Sequence, residues 1–139
     1  MAKLLLVSDA RTILDELSAA LDDGEQEIRE LYSGEAVRAS VAADPPDIVV
    51  ADCQIGNMGG IAVCLDLKLE ESGGRLPYLP VLVLLDRRAD VFLARRSGAE
   101  GWLVKPLDPL RLRRAAKALL DGGTYEDESY RPVPTLAGS

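Results

Sequence analysis

Pro46-Asp47-Ile48-Val49-Val50-Ala51-Asp52 is an apolar run, β-branched through its middle, that ends abruptly on a carboxylate. Pro45-Pro46 opens it and the Gly56-Asn57 pair follows soon after. With no polar alternation, it reads as a strand covered on both faces, and such strands occur in parallel sheets. Asp52 then sits at the carboxyl end of a central strand, the edge of an open α/β sheet where ligands bind. An aspartate there is also a common turn former. Two other residues favour a site: Asp9 follows a first apolar strand and Lys105 closes a last one. Three strand ends thus bring two carboxylates and one ammonium to one edge.

Working outward, Leu4-Leu5-Leu6-Val7 is a first strand, with Asp9 placed to cap the helix after it. In that helix Ile13, Leu14, Leu17, Ala20 and Leu21 repeat at helical spacing, and Asp22-Asp23-Gly24 closes it. Residues 27–32 form a weaker strand in which Glu27, Arg29 and Glu30 interrupt the apolar positions, as suits a protected sheet edge. A short helix over 35–42 precedes the central strand. The breaker-rich loop 53–60 leads to a third helix through Ile61, Cys64, Leu65, Leu67 and Leu69. Pro80-Val81-Leu82-Val83-Leu84-Leu85 is again apolar throughout and therefore central. A helix over 88–97 carries Val91, Leu93 and Ala94 inward and its arginines outward. Gly101-Trp102-Leu103-Val104 is the fifth strand, and Asp108-Pro109 opens a final helix with the imino acid in its first turn.

The expected architecture is α/β: a five-stranded parallel sheet with helices on both faces, since right-handed crossovers place them there. Residues 1–121 make one domain. Residues 122–139, with little apolar content and several breakers, read as a disordered tail.

With 139 residues, 47% hydrophobic and 28% charged, the chain is long enough to bury one real core. A net charge of −7 argues against nucleic acid as a direct partner. The charge is uneven: residues 87–117 hold nine Lys/Arg and three acids, a local +6. Cys53 and Cys64 are not spaced as a metal or redox pair, and no histidine is present to complete a zinc site, so both read as reduced thiols in or near the core. No apolar run reaches membrane-spanning length and the start does not read as a signal peptide, which makes a cytoplasmic protein the expectation.

Ser8-Asp9, Pro46-Asp47 with Asp52, Gly98-Ala99-Glu100-Gly101-Trp102 and Leu103-Val104-Lys105-Pro106 together resemble the receiver domain of bacterial two-component response regulators. The resemblance runs from about Lys3 to Asp121. It implies a flavodoxin-like sheet of order 2-1-3-4-5, a signalling module rather than an enzyme, and Asp52 as acceptor of a phosphoryl group from a histidine kinase or phosphotransfer protein. Mg²⁺ would be held by Asp9, Asp52 and the backbone carbonyl of Gln54, with Lys105 contacting a phosphoryl oxygen. Output would pass through protein contacts of the fourth and fifth helices.

Several residues depart from the family pattern. Ser8 stands where a second acid is usual and could hold only a metal-bound water, so Mg²⁺ should bind more weakly. Leu85 replaces a serine or threonine that hydrogen-bonds the phosphoryl group, and leucine can offer no such bond. The next residue, Asp86, would be worse there, because a further carboxylate repels phosphate. Gly56 takes the place of a proline in the loop after Asp52. Trp102 stands where a smaller aromatic turns inward on activation, and beside Leu85 it is expected to find no pocket.

The favoured reading is a stand-alone atypical receiver that keeps its acceptor but has an impaired internal switch. The alternative is a phosphorylation-independent pseudo-receiver acting as a protein-binding adaptor. An FMN carrier on the same topology is disfavoured, because Ser8-Asp9-Ala10-Arg11 offers a carboxylate where a flavin phosphate wants hydroxyls and glycines. The acidic Glu126-Asp127-Glu128 is expected to compete in cis for the basic face of the last two helices.

Overall fold

A computed structural model describes residues 2–53 and 59–127. The elements, in chain order, are β1 (Lys3–Val7), α1 (Arg11–Leu21), β2 (Glu27–Leu31), α2 (Val37–Ala43), β3 (Ile48–Asp52), α3 (Gly60–Ser72), β4 (Val81–Leu85), α4 (Val91–Arg96), β5 (Gly101–Val104), α5 (Pro109–Leu120) and β6 (Tyr125–Glu126). Short 3₁₀ turns at Gly34–Ala36 and Arg88–Asp90 lead into α2 and α4.

The strands form one sheet of order β2-β1-β3-β4-β5-β6, with every pair parallel. The expected order 2-1-3-4-5 is observed, and β2 lies at an edge as its charges require. The strand count needs correcting from five to six. The sixth strand comes from residues assigned to a disordered tail, and residues 128–139 lie outside the described residues. Tyr125 pairs with Gly101 and Glu126 with Trp102. That close approach requires glycine on β5, because a Cβ at residue 101 would lie 3.0 Å from the Tyr125 carbonyl oxygen and 3.0 Å from Leu119 Cδ1.

Alternation along each strand sends side chains to opposite faces and so builds two apolar layers. On one face Leu5, Val7, Val49, Ala51, Val83 and Leu85 pack with α2, α3 and α4. On the other, Leu4, Leu6, Ile48, Val50, Leu82 and Leu84 pack with α1 and α5. Every residue of β3 and β4 is buried, which is what their unbroken apolar runs demand. Each large side chain so buried stabilises the fold by roughly 1.5–3 kcal/mol.

Three local expectations are corrected. Asp9 does not cap α1; the N-cap is Ala10, with no side-chain hydrogen bond there. Leu93 is exposed along with Phe92, because α4 proper is only six residues long and Ala94 is its buried residue. Trp102 does find a pocket: it is 5% exposed and packs in the same layer as Leu85. Among the described residues no helix is long and apolar enough to cross a membrane.

Candidate functional site

Asp52 is the last residue of β3, and its backbone register places it opposite Leu84 on β4. Its carboxylate is 1% exposed, and both oxygens are engaged. Lys105 Nζ, from just beyond β5, donates to Oδ1 at 2.6 Å. The Ser8 hydroxyl, from just beyond β1, donates to Oδ2 at 2.8 Å. Ser8 is itself fully buried and its Oγ accepts the Ala10 N–H at 3.1 Å. Parallel order with β3 between β1 and β4 is what brings these strand ends together.

Lys105 is shared. Asp86, the first residue after β4, places Oδ1 2.9 Å from Lys105 Nζ. Burial disfavours the Lys105 ammonium, but Asp52 and Asp86 outweigh that and hold its pKa above the usual lysine value. The second Asp86 oxygen, Oδ2, is buried and has no hydrogen-bond partner among the described residues. Two carboxylates thus face one cation, an arrangement in which each weakens the other's hold on it.

The approach to Asp52 is shaped by α3. Its first residue, Gly60, lies against the end of β3: a Cβ there would be 2.7 Å from the Ala51 carbonyl oxygen and 2.8 Å from that of Asp52. Only glycine lets the helix start so close. Cys53, next to Asp52 in the chain, is a half-buried free thiol whose pKa is pushed up by burial first and by Asp90, Asp86 and Asp52 after it. Cys64 is free and buried in the core, as expected of both thiols.

A family model described as response regulator receiver domain matches residues 4–117. The chain belongs to that family. It is 30% identical to the response regulator PleD of Caulobacter vibrioides, an alignment covering 99% of this chain and 32% of PleD. It is 28% identical to the protein PilH of Pseudomonas aeruginosa over 88% of this chain and 100% of PilH. The chain therefore spans about a third of the length of PleD and the whole of PilH. Among solved structures it resembles the chemotaxis response regulator CheY4 of Vibrio cholerae at 25% identity and a TM-score of 0.73, covering 84% of this chain and 97% of that one.

Within this receiver the structure brings together Ser8, Asp52 and Lys105, three of the residues singled out from the sequence. Asp9 is exposed on the β1–α1 connection, and Gln54 and Gly56 lie outside the described residues. Among the described residues, no cluster of three acidic, histidine or cysteine side chains is placed to hold a metal ion. Leu85 is fully buried and belongs to the core layer, while Asp86 is the residue that meets Lys105. The receiver also carries a feature that sequence reasoning located only in outline: Asp127 is buried and accepts the Val104 N–H at 3.0 Å, one residue before Lys105.

Proposed function

We propose that this receiver is an atypical phosphoacceptor in two-component or phosphorelay signalling, with Asp52 as the acceptor and a histidine kinase or phosphotransfer protein in the cytoplasm as donor. The observation that carries the reading is the Asp52 carboxylate at the end of β3 with Lys105 Nζ 2.6 Å from Oδ1. In the transfer an Asp52 oxygen forms a bond to phosphorus in line with the donor, and the bond from phosphorus to the donor nitrogen breaks, its electron pair leaving with the donor. Lys105 then contacts a phosphoryl oxygen as a point charge, giving up part of its hold on the carboxylate.

The oxygen donors of Asp52 and Asp9, with Ser8 acting through a water, suit a hard cation such as Mg²⁺, and the Gln54 carbonyl expected to join them lies outside the described residues. When bound, the cation offsets repulsion between the carboxylate and the incoming phosphoryl oxygens. Serine at residue 8 removes one negative charge from this donor set, so the affinity is weaker than an acid pair would give. The receiver acts as a signalling module rather than as an enzyme with turnover. The full-length match to PilH supports a stand-alone role, in which output passes to a noncovalent partner through the surface of α4 and α5.

A second reading, a phosphorylation-independent adaptor, is favoured by one observation: both Asp52 oxygens are already satisfied and Asp86 draws on the same lysine. Intact-mass measurement after incubation with Mg²⁺ and a small acyl phosphate separates the two. A single phosphoryl adduct that needs Mg²⁺ and is absent from Asp52→Ala establishes the acceptor. Folded protein that acquires no adduct favours the adaptor.

A further inference from the structure

The outer edge of β5 is a row of backbone groups flanked by cations. Arg95 from α4 stands on one side, with its guanidinium 5.4 Å from the centre of the Trp102 ring. Arg111 from α5 stands on the other. The chain's own residues 125–127 lie in this slot. Tyr125 N–H donates to the Glu100 carbonyl at 3.0 Å, opening the parallel ladder. Glu126 approaches Arg95 at 3.5 Å. Asp127 then ends the ladder with its side chain: Oδ2 accepts the Val104 N–H and Oδ1 lies 3.6 Å from Arg111. A carboxylate thereby takes the place that a further backbone carbonyl would hold.

Two contrasts define the chemistry. The ladder is only two residues long, so backbone pairing contributes little on its own. Recognition rests on two carboxylates meeting two arginines and one strand N–H, beside Tyr125, which is half-buried against the α1 and α5 layer; the Asp127 side chain is 1% exposed while Arg95 and Arg111 are 62% and 36% exposed. A short segment held mainly by side-chain contacts at a sheet edge is a replaceable one.

We propose that the β5 edge with Arg95 and Arg111 is a docking slot for an extended acidic segment of a partner protein, added as a parallel strand, and that residues 125–127 fill it in cis until displaced. The partner's segment presents two successive acids, the first to Arg95 and the second to Val104 N–H and Arg111, after a residue that tolerates the close contact at Gly101. This specifies the partner chemistry of the α4 and α5 surface and rests on that part of the proposed function, but not on phosphorylation of Asp52.

The test uses the full chain and a labelled peptide of residues 123–130. Glu126→Ala/Asp127→Ala opens the slot in cis. This variant should bind the peptide saturably and about tenfold more tightly than the wild type, and a peptide with Glu126 and Asp127 changed to lysine should not bind. Trp102, the only tryptophan, should become more quenchable by acrylamide in the variant and recover as peptide is added. Arg95→Ala/Arg111→Ala introduced into the open variant should abolish binding. Equal or absent binding by wild type and open variant overturns the proposal. So does wild-type dimerisation by exchange of the segment, which would assign the slot to a second copy.

Should the open variant fail to fold, hydrogen exchange on the wild type decides. Amides of Val104 and Tyr125 exchanging much faster than those of β3 support displacement, whereas exchange of both only with global unfolding overturns it. An Mg²⁺-dependent phosphoryl adduct on Asp52 alongside either negative result leaves the receiver reading intact and removes only the slot.

Discussion

Asp86 draws on the same ammonium that the proposed function assigns to a phosphoryl group at Asp52. Two unit negative charges roughly 6 Å apart, at an effective dielectric near 20, repel by about 3 kcal/mol before screening. Removing one of them should therefore help both the approach of the donor and the freedom of Lys105. Asp86→Ala is expected to speed adduct formation by about tenfold over the wild type, as followed by intact mass over time; a slower variant would show that Asp86 positions Lys105 productively. The variant should lose little thermal stability, because it also removes a buried oxygen that has no partner among the described residues. Leu85 and Asp86 both stand out in the sequence, but which of them faces the site depends on strand alternation at the last position of β4. Leu85 points into the layer with Trp102 and Val104, and Asp86, one step on, reaches Lys105.

Among the elements, β3 and β4 were legible because burial on both faces leaves no polar residue to obscure the pattern. The opposite holds for β6, whose two residues lie between paired glycines and a run of acids, too few for any period to show. The readable signals were Tyr125, a good strand former, and glycine at 101, where a side chain would bar another strand. The acid content of 126–128 masks them, since a segment of that composition has little apolar surface to bury. Here it orders through Tyr125 against the α1 and α5 layer and through charge pairing to Arg95 and Arg111. Gly101→Ala tests the element directly. The added methyl meets the Tyr125 carbonyl and Leu119, and should lower stability by about 1–3 kcal/mol. It should also raise exchange at the Val104 amide more than at Val50; equal acceleration would mean that the methyl strains the α5 side of the core and leaves β6 in place.

On the scale of the whole molecule, two apolar layers share one sheet, and β3 feeds both: Val49 and Ala51 on one side, Ile48 and Val50 on the other. A layer cannot dissolve without stripping cover from strands that the other needs. Urea unfolding should accordingly give one midpoint whether it is followed by Trp102 fluorescence, which reports the α3 and α4 layer, or by far-UV circular dichroism, which averages over all helices. Separated midpoints would mean that the layers melt independently. The layering and the strand order were readable from apolar periodicity and crossover handedness, both of which act along the entire chain. The partners of Asp52 depend on a finer matter, the reach of single side chains across strand ends, which is why the sequence places Lys105 at the same sheet edge but shows neither its bond to Asp52 nor that from Ser8. An acid in place of Ser8 could only accept hydrogen bonds. The serine accepts from Ala10 N–H and donates to Asp52, and so connects that carboxylate to the N-cap amide of α1. The hydroxyl is thereby fixed between the carboxylate at the end of the central strand and the chain that enters the first helix, one side chain serving as the hinge pin of both.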